Sequence, residues 1–337
     1  MDLGLAILVR RLVLAIPTLL VVSLLVFTVL RLIPADPVAM SLPPNATAAD
    51  LDAMRHEMGL DRPIPVQYAI WLGHIATGDL GQSTQFHTGV GGLILAALPT
   101  TLELVAAGLT LGVFLGIGCG VLLFEWRGKG AEHAADLGSI AVMSVPEFLW
   151  AILLILAFGV ALHWLPFIGR IDADMSVPPV TGFLLIDTVL AANPAAFLSA
   201  LTHLALPALS LALGLAPLIM RVLRSSLMDT YLEDYVTLAR LRGLDERRIL
   251  LRHALRNAAL PTVSLIGVQA GFMFGGTLLV EVIYTLPGLG NLMVQALRNQ
   301  DLPLIQGIAL VYCVMVLVIN TVVDIAYLGL NPRLRRA

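Results

Sequence analysis

The sequence predicts an all-α, polytopic membrane protein with six transmembrane helices, on three observations. Hydrophobic residues make up 58% and charged residues 13% of the 337, and the mean hydropathy is +0.90; soluble chains carry about 45–50% and about 25%. The apolar residues gather into runs long enough to cross about 30 Å of hydrocarbon as helices. The charges are segregated between those runs, so the net charge of −3 says little about partners.

In the first span, Ile7–Leu30, Arg10 and Arg11 precede an uninterrupted run from Leu12 to Leu30. A signal peptide also starts with a basic end, but its apolar core is only about 7–15 residues, so this run is expected to stay as span one (residues 1–30). Residues 31–98 are polar and hold Pro34, Pro37, Pro43, Pro44, Pro63 and Pro65, with Tyr68, Trp71 and Phe86 to bury. They predict a small extracytoplasmic subdomain with short helices over Ala48–Met58, capped by Thr47, and over Val66–Ile75.

The remainder, 99–330, supplies five more spans. Span two, Pro99–Phe124, has Gly108, Gly112, Gly116 and Gly120 at four-residue spacing. Such a ladder lets another helix approach closely in lipid, although membrane helices are glycine-rich in general. Span three is Leu137–Leu162, with Pro146 and Glu147 inside. In the outer segment that follows, Phe183–Leu190 and Ala195–Leu201 are too short to span and read as interfacial helices. Span four, Thr202–Val222, contains Pro207 and Pro217 as expected bends. Span five, Thr262–Ile283, carries Gly267, Gly271 and Gly275; span six is Pro303–Leu328, before a basic tail, 331–337.

Between spans four and five lies the most charged stretch. Arg221–Pro261 holds eight arginines, at 221, 224, 240, 242, 247, 248, 252 and 256. An arginine at the bilayer centre costs about 2.5–3.5 kcal/mol on insertion scales, so this is a water-side segment. Glu233–Arg242 predicts a helix ended by Gly243. Asp245 caps a second one running to about Ala259, and Pro261 opens the next element. Arg248, Arg252 and Arg256 fall on one face, with Leu251, Ala254, Leu255 and Ala258 as an apolar stripe beside it. This hairpin, 223–261, reads either as a solvated basic loop or as a helical pair docked on a soluble partner. Of the 20 basic residues, Arg31, Arg55, Arg62, Arg170 and Arg298 lie on one side of the membrane and the rest on the other. That asymmetry places both termini and the hairpin in the cytoplasm.

Chemical motifs are missing. Gly128-Lys129 has Leu123 where a nucleotide-binding loop needs glycine, and Gly130 where it needs Ser or Thr. No metalloprotease or serine-hydrolase signature occurs, and the seven histidines lack ligand spacing. Cys119 and Cys313 lie in apolar runs and read as small hydrophobes. The basic residues show no nucleic-acid motif. The chain is thus expected to be no enzyme and to bind no cofactor or metal. Glu103, Glu147, Glu281 and Asp324 lie in or at the ends of spans. Such acids are functional suspects; for Glu147 and Glu281 structural pairing and a pathway role are both open.

The hairpin resembles the cytoplasmic coupling loop of binding-protein-dependent ABC importer permeases. Ala239, Gly243 and Leu255 match the family's EAA pattern. Its departures resemble the first permease of the dipeptide/oligopeptide/nickel group, through Tyr235-Val236, Ala239-Arg240, Gly243 and Arg252-His253-Ala254-Leu255-Arg256-Asn257. Gly59-Leu60-Asp61-Arg62-Pro63, Gly78-Asp79-Leu80-Gly81, Leu98-Pro99-Thr100-Thr101-Leu102-Glu103, Leu286-Pro287-Gly288-Leu289-Gly290 and Asp301-x-Pro303 extend the likeness over the chain. The resemblance implies a multi-pass subunit of the bacterial inner membrane, forming half of a path for peptides or a similar solute. It implies a second permease, two ATPase subunits that hold ATP and Mg, and an extracytoplasmic solute-binding protein. It implies that Tyr235, Ala239, Arg240, Gly243, Arg252, His253, Leu255 and Asn257 form the ATPase-coupling loop. The alternative is a self-sufficient secondary transporter or channel, which would need mid-membrane acids on facing helices or an inverted repeat; the sequence shows neither.

Overall fold

The computed structural model describes residues 3–32, 47, 49, 56 and 61–330. Apart from positions 49 and 56, the helix expected over 48–58 lies outside the described residues, as does the tail 331–337. The described chain is helical: α1 (Leu3–Leu32), α2 (Ile64–Ala76), α3 (Val90–Glu125), α4 (Gly130–Met143), α5 (Glu147–Leu154), α6 (Leu184–Leu190), α7 (Pro194–Thr230), α8 (Asp234–Leu241), α9 (Glu246–Ile283), α10 (Leu289–Arg298) and α11 (Leu302–Leu330). Among the described residues five helices are long and apolar enough to cross a membrane, and a sixth crossing results if the bent pair of α4 and α5 counts as one.

That pair corrects the third span, which was expected as one helix. The chain leaves α4 at Ser144 and restarts at Glu147 with a bend of 100° between the two helices. Pro146 disfavours helical backbone at Val145 before it, and itself sits extended (φ −61°, ψ 154°) as the residue capping α5. A π-helical turn, Ile155–Ala161, continues α5. Two further boundaries differ from expectation. Ala195–Leu201 is no interfacial piece but the first turns of α7, whose Pro194 sits in the first turn where proline is tolerated. Pro261 opens nothing: α9 runs through it from the hairpin to Ile283, with residues 249–254 wound as a π-helix.

The core is built on the ladder of α3. Gly108, Gly112, Gly116 and Gly120 form a groove, and Leu211, Leu215, Ile219 and Leu223 of α7, also every fourth residue, form the ridge that fills it. A Cβ added at Gly112 would lie 2.9 Å from Leu215 Cδ2, and one at Gly116 2.6 Å from Ile219 Cβ and 2.9 Å from the Ala216 carbonyl. In lipid, where chain–chain burial has no hydrophobic drive, such backbone proximity supplies dispersion contact instead. Around this seam pack Leu104, Ala151, Leu154, Met273, Val280 and Tyr284. On α9, Gly267 lies against Val323, a Cβ at Gly271 would meet Val316 Cγ1 at 3.4 Å, and Gly275 faces open space. α1 touches α11 and α2; Phe27 stacks with Tyr68 and Trp71 (centroids 5.5 Å apart in each pair) and presents Val13, Leu14, Val21 and Leu25 outward.

Candidate functional site: the hairpin and the membrane acids

The hairpin follows from its caps. α8 ends at Leu241, and Gly243 then takes φ +74°, the left-handed region that costs a side chain about 1–2 kcal/mol. Its N–H donates to the Arg240 carbonyl (2.9 Å), and that of Leu244 to the Ala239 carbonyl (3.2 Å), closing the helix end as a Schellman motif. Asp245 Oδ2 accepts from the Arg247 amide at 3.1 Å and starts α9. Val236, Ala239 and Ile249 then bury against Tyr231, Tyr235 and Leu244, giving the hairpin a small core of its own.

The predicted coupling residues divide into two groups. Tyr235 and Asn257 meet directly: Asn257 Nδ2 donates to Tyr235 Oη at 2.9 Å, tying α8 to α9. Ala239 is in the hairpin core and Leu255 packs on the cluster of Phe124, Leu223, Leu227, Leu250, Ala254 and Ala258 that joins hairpin to spans. Arg240 Nε donates to Glu246 Oε1 at 2.5 Å, across the Gly243 turn, and lies 5.4 Å over the Tyr231 ring. Arg252 is exposed and His253 half-buried. Of the apolar stripe, Ala254 and Ala258 are buried but Leu251 points outward, 49% exposed; the π-helical winding carries Ile249 and Leu250 inward in its place.

Three features were not in the sequence reading. Arg224 is clamped by Glu132, and by Asp136 at 2.6 Å, which fixes α4 to the hairpin end of α7. Arg127 stacks over Phe124 (4.2 Å), itself edge-on to Tyr231 (4.6 Å). Leu232 and Leu241, at the two ends of α8, are 84% and 81% exposed. Periodicity does not single them out, because α8 buries Val236 and Ala239 on another face and also exposes Leu238. Elsewhere on the segment Arg221, Arg242, Arg247, Arg248, Arg252 and Arg256 form no ion pair among the described residues. The hairpin surface therefore carries unpaired arginines and bare leucines, with exposed acids at Asp229, Glu233 and Asp234, over a packed base.

The acids sort differently. Glu281, fully buried, accepts from Thr101 Oγ1 (2.7 Å) on one oxygen and from the amides of Gly290 (2.7 Å) and Asn291 (3.1 Å) on the other. It caps α10 from the end of α9, where a carboxylate also complements the helix N-terminus. Thr101 Oγ1 in turn accepts from the Leu289 amide at 2.8 Å. Glu103 pairs with Arg170 (2.6 Å) and accepts from the Leu185 amide (2.8 Å). Asp301 caps α11 and binds Ser83 and the Gln85 amide. Glu147, half-buried, lies against Gly214 and Gly276. No group of three potential metal ligands occurs among the described residues.

Comparison with known proteins agrees with this arrangement. The model of the binding-protein-dependent transport system inner membrane component matches residues 108–336, and that of the N-terminal part of such membrane components matches 4–105. A di/tripeptide transport system permease of Pseudomonas aeruginosa is 40% identical over 329 residues, 97% of each chain. A dipeptide transport system permease of Escherichia coli is 37% identical over 334 residues, and a glutathione transport system permease of E. coli 32% over 327, each covering 97% of this chain. The membrane subunit fold recurs in an inward-facing methionine ABC transporter (TM-score 0.53, 16% identity, 71% of this chain and 96% of that one). The chain belongs to the family of binding-protein-dependent transport system inner membrane components, as a multi-pass permease of the bacterial inner membrane.

Proposed function

We propose that this permease forms half of a path for short peptides, pairs with a second and different permease chain, and is driven by two ATPase subunits that carry ATP and Mg. An extracytoplasmic binding protein delivers the peptide to the end opposite the hairpin, and both termini lie with the hairpin in the cytoplasm. Peptide as substrate rests on the likeness to the di/tripeptide and dipeptide permeases. The observation that carries the coupling is the hairpin surface: Leu232 and Leu241 lie bare on it, six of its arginines form no ion pair among the described residues, and its base is packed from within. Apolar anchors ringed by charge are what a docked partner desolvates.

The hairpin continues into α9 without a joint, so a push on the hairpin acts on a spanning helix. Co-expression with partner ATPase subunits tests this. Gly243→Asp, or Ala239→Phe in the hairpin core, should abolish ATPase co-purification and peptide uptake while membrane insertion persists. Normal co-purification and uptake in both variants would remove the coupling assignment.

A further inference from the structure

Glu103, Glu147 and Glu281 all sit in helices of the membrane layer, and two of them are spent inside the fold. Glu103 is held by Arg170 and the Leu185 amide, Glu281 by Thr101 and the α10 amides. Glu147 receives no hydrogen bond and meets no basic side chain among the described residues. It does not cap its own helix: the Leu149 and Trp150 amides donate to the Pro146 carbonyl at 3.0 and 3.1 Å. Its surroundings are nevertheless specific. A Cβ at Gly214, near the midpoint of α7, would come within 2.8 Å of its Cγ and Oε1, and one at Gly276 of α9 within 3.8 Å of Cδ. Two bare backbones make room for this carboxylate, just past the 100° bend that turns α5 across the spans.

An ionised carboxylate in hydrocarbon is costly and faces either another charge or a water-filled route. We propose that Glu147 is a specificity-determining residue of the translocation path, where it receives the α-ammonium of the passing peptide. This rests on the peptide reading above. A lone carboxylate suits a monovalent ammonium, whose charge it balances while accepting one of the three N–H donors; a divalent ion would call for several oxygen ligands. At 214 and 276 the carboxylate itself takes the place that side chains would fill, so it is held by close packing while its oxygens keep their hydrogen-bonding capacity for a ligand.

The test uses the assembled transporter in proteoliposomes, with its companion permease, ATPases and binding protein. Uptake of a dipeptide and of its N-acetylated form is compared for wild type, Glu147→Gln and Glu147→Asp, alongside ATP hydrolysis and subunit stoichiometry. Glu147→Gln should lower dipeptide uptake at least about tenfold with assembly and ATP hydrolysis unchanged. Glu147→Asp should keep most of it, and N-acetyl dipeptide transport should change less than about twofold. Wild-type uptake in Glu147→Gln, an equal loss for both peptides, or loss of the companion permease would each overturn the assignment while leaving the permease a peptide carrier. If the wild-type assembly moves no dipeptide, the peptide reading itself falls, and the ligand named here with it.

Discussion

The two ends of the helix bundle are finished to different degrees. At the far end, away from the hairpin, buried polar groups close on one another: Glu281 on Thr101, Gly290 and Asn291, Glu103 on Arg170, Asp187 on Thr181 and Gly182, Asp301 on Ser83 and Gln85. At the hairpin end the inside is packed but the outside is bare, with leucines in water and arginines lacking counter-ions. Apolar side chains such as Trp164 (67%) and Val180 (71%) are bare at the far end too, so what separates the ends is charge: the far-end acids are spent inside the subunit, whereas six hairpin arginines form no ion pair among the described residues. Substitutions at the far end should therefore cost stability, and those on the hairpin surface should cost association.

The largest effect should come from the seam that both ends share. Gly116→Leu forces a side chain into Ile219 and the Ala216 carbonyl, at about 3 kcal/mol; loss of monodisperse protein in detergent reads it. Next, Glu281→Ala strands a hydroxyl and two amides, at about 2 kcal/mol. Proteolysis or hydrogen exchange over 285–291 should rise while the hairpin amides stay protected, which keeps the two ends distinct. Gly243→Val costs about 1–2 kcal/mol locally from its positive φ and should expose α8 to proteases without lowering the melting temperature of the spans.

Acid should also loosen the far end. Burial alone would raise the Asp187 pKa, but the hydrogen bonds from the Thr181 hydroxyl and from the Thr181 and Gly182 amides hold it below the ordinary aspartate value. Its contribution is complete above about pH 3.9 and is lost as pH falls from there through the depressed value. The Thr181 and Gly182 amides should exchange faster, relative to their intrinsic rates, at pH 3 than at pH 5. Smallest for the fold is Leu241→Ser, within about 0.5 kcal/mol on stability. Its effect should appear as weakened ATPase co-purification; an unchanged complex would break the contrast between the two ends.

Local signals were the legible ones. The Gly243 stop, the Asp245 cap and the four-residue ladder from Gly108 to Gly120 each act within a turn or two of helix, and the structure places each as the spacing predicts. Hydropathy misled where it averaged. It merged α4 and α5 into one span because Ser144–Pro146 breaks the helix without breaking the apolar run. It also cut Ala195–Leu201 from α7 at Thr202 and His203, polar residues that lie within a continuous helix; His203 Nδ1 is 2.8 Å from the Ser199 carbonyl, one turn back. Pro261 looked like a helix start because its missing N–H was counted as a boundary, yet proline is tolerated within spanning helices where neighbours hold the backbone. The Glu281 network was invisible for a different reason: its hydroxyl donor, Thr101, is distant in sequence and meets it only through packing.

The 38 residues of α9 make a single strut about 57 Å long. One tip is fastened by Asp245 beside the arginines, and the other is tethered through Glu281 to the α10 amides and, by Thr101, to α3. A tilt of about 10° about its midpoint swings each tip through about 5 Å in opposite directions. The loop it would shift is Tyr284–Leu289, at the end opposite the hairpin.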